Sequence, residues 1–209
     1  MPAAAARLVK SLLALVALAL VAWSSDPGAY WDWHRASDAE NAAKEAAAAG
    51  TGASAAGTLS GAFEVVASPE GGVGERLEAA IRGAKNRAWA TVYIVSDKGV
   101  LAALKDAAAR GVDVRLVLEG NVVGQPTINR KPAAALQKAG AKVAWSDPTR
   151  FTYTHAKVLL ADDAWWIGTG NFSHSTFTGN REFFTTSREP SVLRALESVF
   201  LADFAHGPT

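Results

Sequence analysis

With about 100 to 200 residues expected per domain, a chain of 209 residues has room for one globular domain and further segments. Its 49% hydrophobic and 20% charged residues suit a protein with a sizeable core and exclude a disordered chain outside the N-terminal third. The formal net charge of +1 falls to −1 once Arg7 and Lys10 of the N-terminal segment are set aside, which excludes the bulk basic footprint usual for nucleic-acid binders.

The N-terminus reads MPAAAARLVKSLLALVALALVAW, with Arg7 and Lys10 ahead of an apolar run from Leu12 to Trp23. That order matches the basic and apolar regions of a secretory signal, and the run is shorter than the roughly 20 residues of a membrane span. Ala17-Leu18-Ala19 fits a small-x-small cleavage site but lies inside the run, and Trp23, Tyr30, Trp31 and Trp33 favour a membrane interface. Residues 1–25 are therefore expected to be a signal peptide or membrane anchor, and the protein to be exported: periplasmic, secreted or membrane-anchored. An N-terminal core helix is the alternative. Residues 26–61 read as an Ala/Gly-rich linker, with an Ala-rich helix over Asp38–Ala49 and a flexible tether over Gly50–Gly61. The absence of cysteine excludes disulfides and leaves the compartment open.

A globular domain is expected over residues 62–205. Ala62–Ala67 reads as a strand stopped by Pro69, and Glu75–Lys85 as an amphipathic helix through Leu77, Ala80, Ile81 and Ala84. Ala88–Val95 is a near-continuous apolar run, as in a strand covered on both faces. Ser96 and Asp97 start a helix that stops at Arg110-Gly111, and Val112–Leu118 is the next strand. Glu119–Lys131 reads as a loop, Pro132 opens a helix closed by Gly140, and Lys142–Trp145 is a strand. Then the pattern changes. His155–Ala161 and Ala164–Ile167 form a hairpin turning at Asp162-Asp163, followed by a strand from Glu182 to Thr186 and a closing helix from Ser191 to Phe204. Trp165 and Trp166 are expected to divide between core and partly exposed surface, and His174 to lie in a loop. Alternating strands and helices indicate an α/β sheet with helices on its faces.

Function is concentrated in THAKVLLADDAWWIGTGNFSHSTFTGNREFF, residues 154–184. His155 and Lys157 are two apart, so on a strand both side chains leave the same face and bring an imidazole and an ammonium into one pocket. Thr169 and Asn171 repeat that spacing in GTGN, and Glu182 follows. Fixed cations and neutral donors of this kind stabilise the charge on a phosphoryl group in flight, a role that suits Lys157, Thr169 and Asn171. A metal set of His155, Asp162, Asp163 and Glu182 is disfavoured because Lys157 would set a positive charge against the ion.

His155-x-Lys157, four residues, Asp162, then GTGN and Asn-x-Glu resemble the HKD signature of the phospholipase D superfamily, over about Ala62 to Phe204. The resemblance is to cardiolipin-synthase-like and single-motif bacterial members. Two features depart from the pattern: five rather than six residues separate Asp162 from Gly168, and Thr169 replaces a serine. The resemblance implies a mixed central β-sheet flanked by helices on both faces, and an active site that works without metal or cofactor. It also implies catalytic roles for His155, Lys157, Asp162 and Glu182, with Lys157, Thr169 and Asn171 on the phosphate and Asp162 supporting the loop.

In the mechanism expected, neutral His155 attacks phosphorus through Nε2 to form a phosphohistidine, Glu182 accepts a hydrogen bond from Nδ1–H and fixes the tautomer, and a second, protonated imidazole serves the leaving oxygen. Such sites use two HKD motifs, and this chain has one: none of His34, His174 and His206 is followed by Lys two residues later. A homodimer is therefore expected, since a two-fold axis lets one motif supply both halves of the site. Export and near-neutral charge favour a phospholipid head-group phosphodiester at a membrane. The runner-up is an exported endonuclease with a basic rim of Arg130, Lys131 and Arg150, and a third reading is a non-catalytic membrane-tethered scaffold.

Overall fold

The computed structural model describes residues 63–208, so the expected signal or anchor over 1–25 and the linker over 26–61 lie outside the described residues. In chain order the elements are β1 (Glu64–Ser68), α1 (Val73–Gly83), β2 (Arg87–Val92), α2 (Lys98–Ala109), β3 (Asp113–Leu118), α3 (Arg130–Lys138), β4 (Lys142–Trp145), β5 (Lys157–Ala161), β6 (Ala164–Gly168), α4 (His174–Thr178), β7 (Glu182–Ser187) and α5 (Pro190–His206). The strands form one mixed sheet in the order β1-β7-β6-β5-β2-β3-β4. β2, β3 and β4 run parallel, joined by α2 and α3, as crossover connections require. β5, β6, β7 and β1 pair antiparallel.

Successive residues on the strands feed two different cores, because side chains alternate between faces. On one face Leu77 and Ile81 of α1, Leu104 of α2 and Leu136 of α3 pack with Leu116, Leu159 and Trp166. On the other, Phe200, Leu193 and Leu196 of α5 pack with Trp89, Val117, Leu160 and Trp165. Both tryptophans of β6 are thus core residues, 2% and 7% exposed, which corrects the expected split: the sheet is covered on both sides at this strand. Trp89 stacks on Phe200 at 5.1 Å and donates its Nε1–H to Asp113 at 3.0 Å.

Helix ends follow local chemistry. Asp97 caps α2 by accepting from the backbone N–H groups of Gly99 and Val100, worth about 1 kcal/mol. α3 begins at Arg130 rather than at Pro132, and the proline falls in the first turn, where its missing N–H costs nothing. The short helix α4 was expected as loop; Ser173 caps it through the N–H of Thr176.

The registers decide where chemistry can sit. Ser68 pairs with Glu182, Gly168 with Phe184, Val92 with both Lys157 and Leu118, and Leu118 with Trp145. One edge of the sheet therefore gathers the carboxyl ends of β1, β6, β2, β3 and β4 with the amino ends of β5 and β7. Open α/β sheets bind ligands beyond such carboxyl ends.

Candidate active site

Lys157 is the first residue of β5 and His155 lies two residues ahead of the strand, not within it as expected. The last link to β2 is a bond from the N–H of Tyr93 to the carbonyl of Ala156 at 3.1 Å. The shared face nevertheless holds. Lys157 Nζ lies 2.8 Å from Nδ1 and 3.1 Å from Nε2 of His155, and donates to the His155 carbonyl at 2.6 Å.

The two side chains differ in their surroundings. Lys157 is buried, 4% exposed, whereas His155 is exposed at the edge and open to a substrate. Desolvation lowers the Lys157 pKa, and the nearby negative charge of Glu182 works against that shift. Partial desolvation, followed by the charge of Lys157, lowers the His155 pKa and favours the neutral, nucleophilic imidazole. Tyr93 forms a wall of this pair: its ring centroid is 4.6 Å from that of His155 and 5.5 Å from Lys157 Nζ.

GTGN comes from the last residue of β6 and the turn after it. Glycine is required twice there: a Cβ at position 168 would lie 2.2 Å from the Phe184 ring, and one at 170 would lie 2.5 Å from Thr176 and 2.7 Å from Glu182. The stretch is tied to the end of β2 by the N–H of Phe172 on the Ile94 carbonyl at 3.0 Å. Thr169 donates its hydroxyl to Glu182 at 2.5 Å and accepts from the N–H of Phe183 at 3.1 Å. Asn171 carries a buried Oδ1 with no hydrogen-bond partner among the described residues. Such an orphan is expensive, and functional sites are where orphans are retained.

Two expectations are corrected. Glu182 was expected to hold the Nδ1 proton of His155, but its carboxylate bonds Thr169, and Nδ1 faces Lys157. The glutamate instead orients a hydroxyl and counters a buried ammonium. Asp162, expected among the catalytic residues, lies at the far end of β5, about 17 Å along the strand from Lys157 at roughly 3.3 Å per residue. There, at φ 49°, it accepts from the backbone N–H groups of Lys85, Asn86 and Arg87 at 2.8, 2.9 and 2.9 Å. Partial burial alone would raise its pKa, but these bonds prevail and hold it below the usual carboxylate range. These bonds fasten the turn before β2.

Sequence reasoning passed over Tyr93, Glu119 and Asn129. Each stands at or just beyond the end of an apolar strand or in a loop, and an acid directly after VRLVL was the available signal for Glu119. The proposed basic rim is partly engaged: Arg130 stacks over Trp145 at 5.8 Å, and Arg150 lies over Phe151 at 4.9 Å while bonding Asp203 at 3.3 Å. Arg130, Trp145 and Phe151, with Asn121 and Thr152, line a cleft of about 320 Å³, and Arg150 does not reach into it.

A sequence profile described as cardiolipin synthase, PLD-like domain, matches residues 77–204, more than half of the chain. The chain belongs to the phospholipase D superfamily. Cardiolipin synthase A of Pseudomonas aeruginosa is 33% identical over 129 residues, covering 60% of this chain and 26% of the synthase. Cardiolipin synthase 1 of Bacillus anthracis is 30% identical over 155 residues, covering 70% of this chain and 30% of the synthase. The chain thus spans less than a third of the length of these curated relatives. Among solved structures, the phospholipase D family member Nuc of Salmonella typhimurium shares the fold with a TM-score of 0.64 at 22% identity, over 70% of this chain and 96% of Nuc. NucT of Helicobacter pylori does so with a TM-score of 0.61 at 16% identity, over 71% of this chain and 98% of NucT. In this phospholipase D-like domain the HKD histidine and lysine meet at the sheet edge, and the aspartate does not join them.

Proposed function

We propose that the protein is an exported phosphodiesterase that hydrolyses a phospholipid head-group phosphodiester through a covalent phosphohistidine at His155. The observation that carries this reading is the Lys157 amine, 2.8 Å from the ring of an exposed histidine at the carboxyl edge of the sheet. An arriving phosphate draws the ammonium from the ring onto its own oxygens and leaves the imidazole free to attack. The lone pair of the unprotonated ring nitrogen forms the P–N bond as the P–O bond to the leaving group breaks, while the other ring nitrogen keeps its proton, and one hard displacement is divided into two. Lys157 offsets the charge on the equatorial oxygens, aided by the Asn171 amide, and the Thr169–Glu182 bond holds that side of the pocket.

The leaving oxygen needs a proton. We assign it to protonated His155 of the partner subunit, which in the second half takes a proton from water as the hydroxyl attacks phosphorus and the P–N bond breaks. Two imidazoles sharing one phosphate titrate as a pair, one neutral and one charged. A two-fold homodimer achieves this with a single motif.

The test is turnover of phosphatidylglycerol and phosphatidylcholine vesicles by the purified protein, with His155→Ala as the control and with mixed wild-type and His155→Ala subunits. Activity confined to wild-type homodimers is expected, and full activity from a verified monomer would overturn the shared site. A second reading, cleavage of nucleic acid, is favoured by the cleft where Arg130 and Trp145 stack beside Phe151, since aromatic and guanidinium planes receive bases. Activity on single-stranded DNA that falls steeply with ionic strength would select it.

A further inference from the structure

His155 lies outside regular structure, in the eleven residues 146–156 between β4 and β5, so something other than a strand must fix it. On its C-terminal side the carbonyl of Ala156 is held by the N–H of Tyr93. On its N-terminal side the N–H of Thr154 donates to Glu119 Oε2 at 2.8 Å. Glu119 is 4% exposed and directly follows β3. Its carboxylate also accepts from Ser146 Oγ at 2.8 Å and from the N–H of Asn121 at 2.8 Å. A buried carboxylate with three donors is stiff, because releasing one leaves the carboxylate short of a partner in a low-dielectric setting.

The anchor extends to the wall of the site. Asn129, 2% exposed, donates to the carbonyls of Tyr93 at 2.7 Å and Glu119 at 3.0 Å, and accepts from the N–H of Val95 at 3.1 Å. It thereby locks the ends of β2 and β3 together. The Tyr93 ring that lies against His155 and the carboxylate that holds Thr154 thus belong to one hydrogen-bonded unit.

We propose that Glu119 is the positioning residue of this site: it holds the peptide ahead of His155 so that the imidazole stands between Tyr93 and Lys157 in attacking geometry. The catalytic consequence rests on His155 being the nucleophile, but the placement of the ring does not. Three donors also set what can replace the residue. In Glu119→Gln the amide oxygen can keep Thr154 and Ser146 while the NH2 group forfeits only Asn121. In Glu119→Ala all three donors are orphaned.

The experiment follows the ring protons of His155 by NMR in the full chain, alongside phosphodiesterase kinetics. In Glu119→Ala the His155 resonances should lose the shift imposed by the Tyr93 ring while those of His206 stay in place. The kcat should fall about 100-fold, the scale of a 1 Å misplacement, with a much smaller change in KM. Glu119→Gln should restore both readouts most of the way. Should Glu119→Ala not fold, Thr154→Pro removes the same hydrogen bond from the donor side and should move the same resonances. Unmoved His155 resonances in a folded variant, or equal damage from Gln and Ala, would overturn the proposal. Moved resonances in a protein that lacks phosphodiesterase activity would uphold the positioning and sink the nucleophile.

Discussion

The two ends of β5 carry residues of the same motif and do unlike things. At the amino end Lys157 is buried and sits against an exposed imidazole, an arrangement that costs stability and is useful only if an anion arrives. At the carboxyl end Asp162 accepts from three backbone N–H groups of the turn before β2, which adds stability and brings nothing to a substrate. The strand between them, VLLA, is core. A motif in sequence is therefore not a site in space: its first two letters build the pocket and its third fastens the scaffold that bears it.

The contrast can be broken from either end. The largest effect should come from His155→Ala, with a loss in kcat of at least about 10⁴-fold, as for removal of a nucleophile, and little change in melting temperature because the side chain is exposed. Lys157→Met should cost about 10² to 10³-fold in kcat, the scale of losing a transition-state charge partner, while leaving stability equal or higher because a buried ammonium is gone. Thr169→Val should cost less, about tenfold, because it removes a neutral hydroxyl held by Glu182 rather than a full charge on the phosphate. Asp162→Ala should lower unfolding free energy by about 1–2 kcal/mol through the loss of three hydrogen bonds to a carboxylate, and leave kcat per folded molecule unchanged. A large fall in kcat for folded Asp162→Ala would erase the distinction between the two ends.

pH separates the ends in the same way. The depressed Asp162 pKa contributes stability that is fully present above the ordinary carboxylate value near 3.9, and it is lost as pH falls through the lower folded value. Acid titration of Asp162→Asn should therefore show a shallower loss of stability below about pH 4 than wild type. His155 is also depressed, so the acidic limb of kcat/KM should lie below the ordinary histidine value of about 6.5. In Lys157→Met that limb should move part of the way back, since desolvation is the larger cause and remains.

The site was legible where it depended on strand parity. His155 and Lys157 share a face because residues two apart must, even though the strand begins two residues later than expected. The alternation of strands and helices likewise marked β1 to β4, and the Asp162-Asp163 turn marked the hairpin of β5 and β6. What sequence could not show were bonds to distant backbone: Glu119 to Thr154, Asn129 to Tyr93 and Asp162 to Lys85 each join residues more than thirty apart. Nor could it choose the partner of Glu182, because hydroxyl and imidazole are both chemically suitable and only the closing of β7 on β6 selects Thr169. The buried pair Trp165 and Trp166 was misjudged because coverage of both faces at β6 depends on where α5 packs.

The most direct measurement is rapid quench of the protein with a slowly turned-over phosphodiester, followed by peptide mass spectrometry. A phosphoryl adduct on His155, acid-labile, formed at a rate competent for turnover and absent from His155→Ala, is the expected result. Turnover with no adduct on His155, or with an adduct on another residue, would contradict the account.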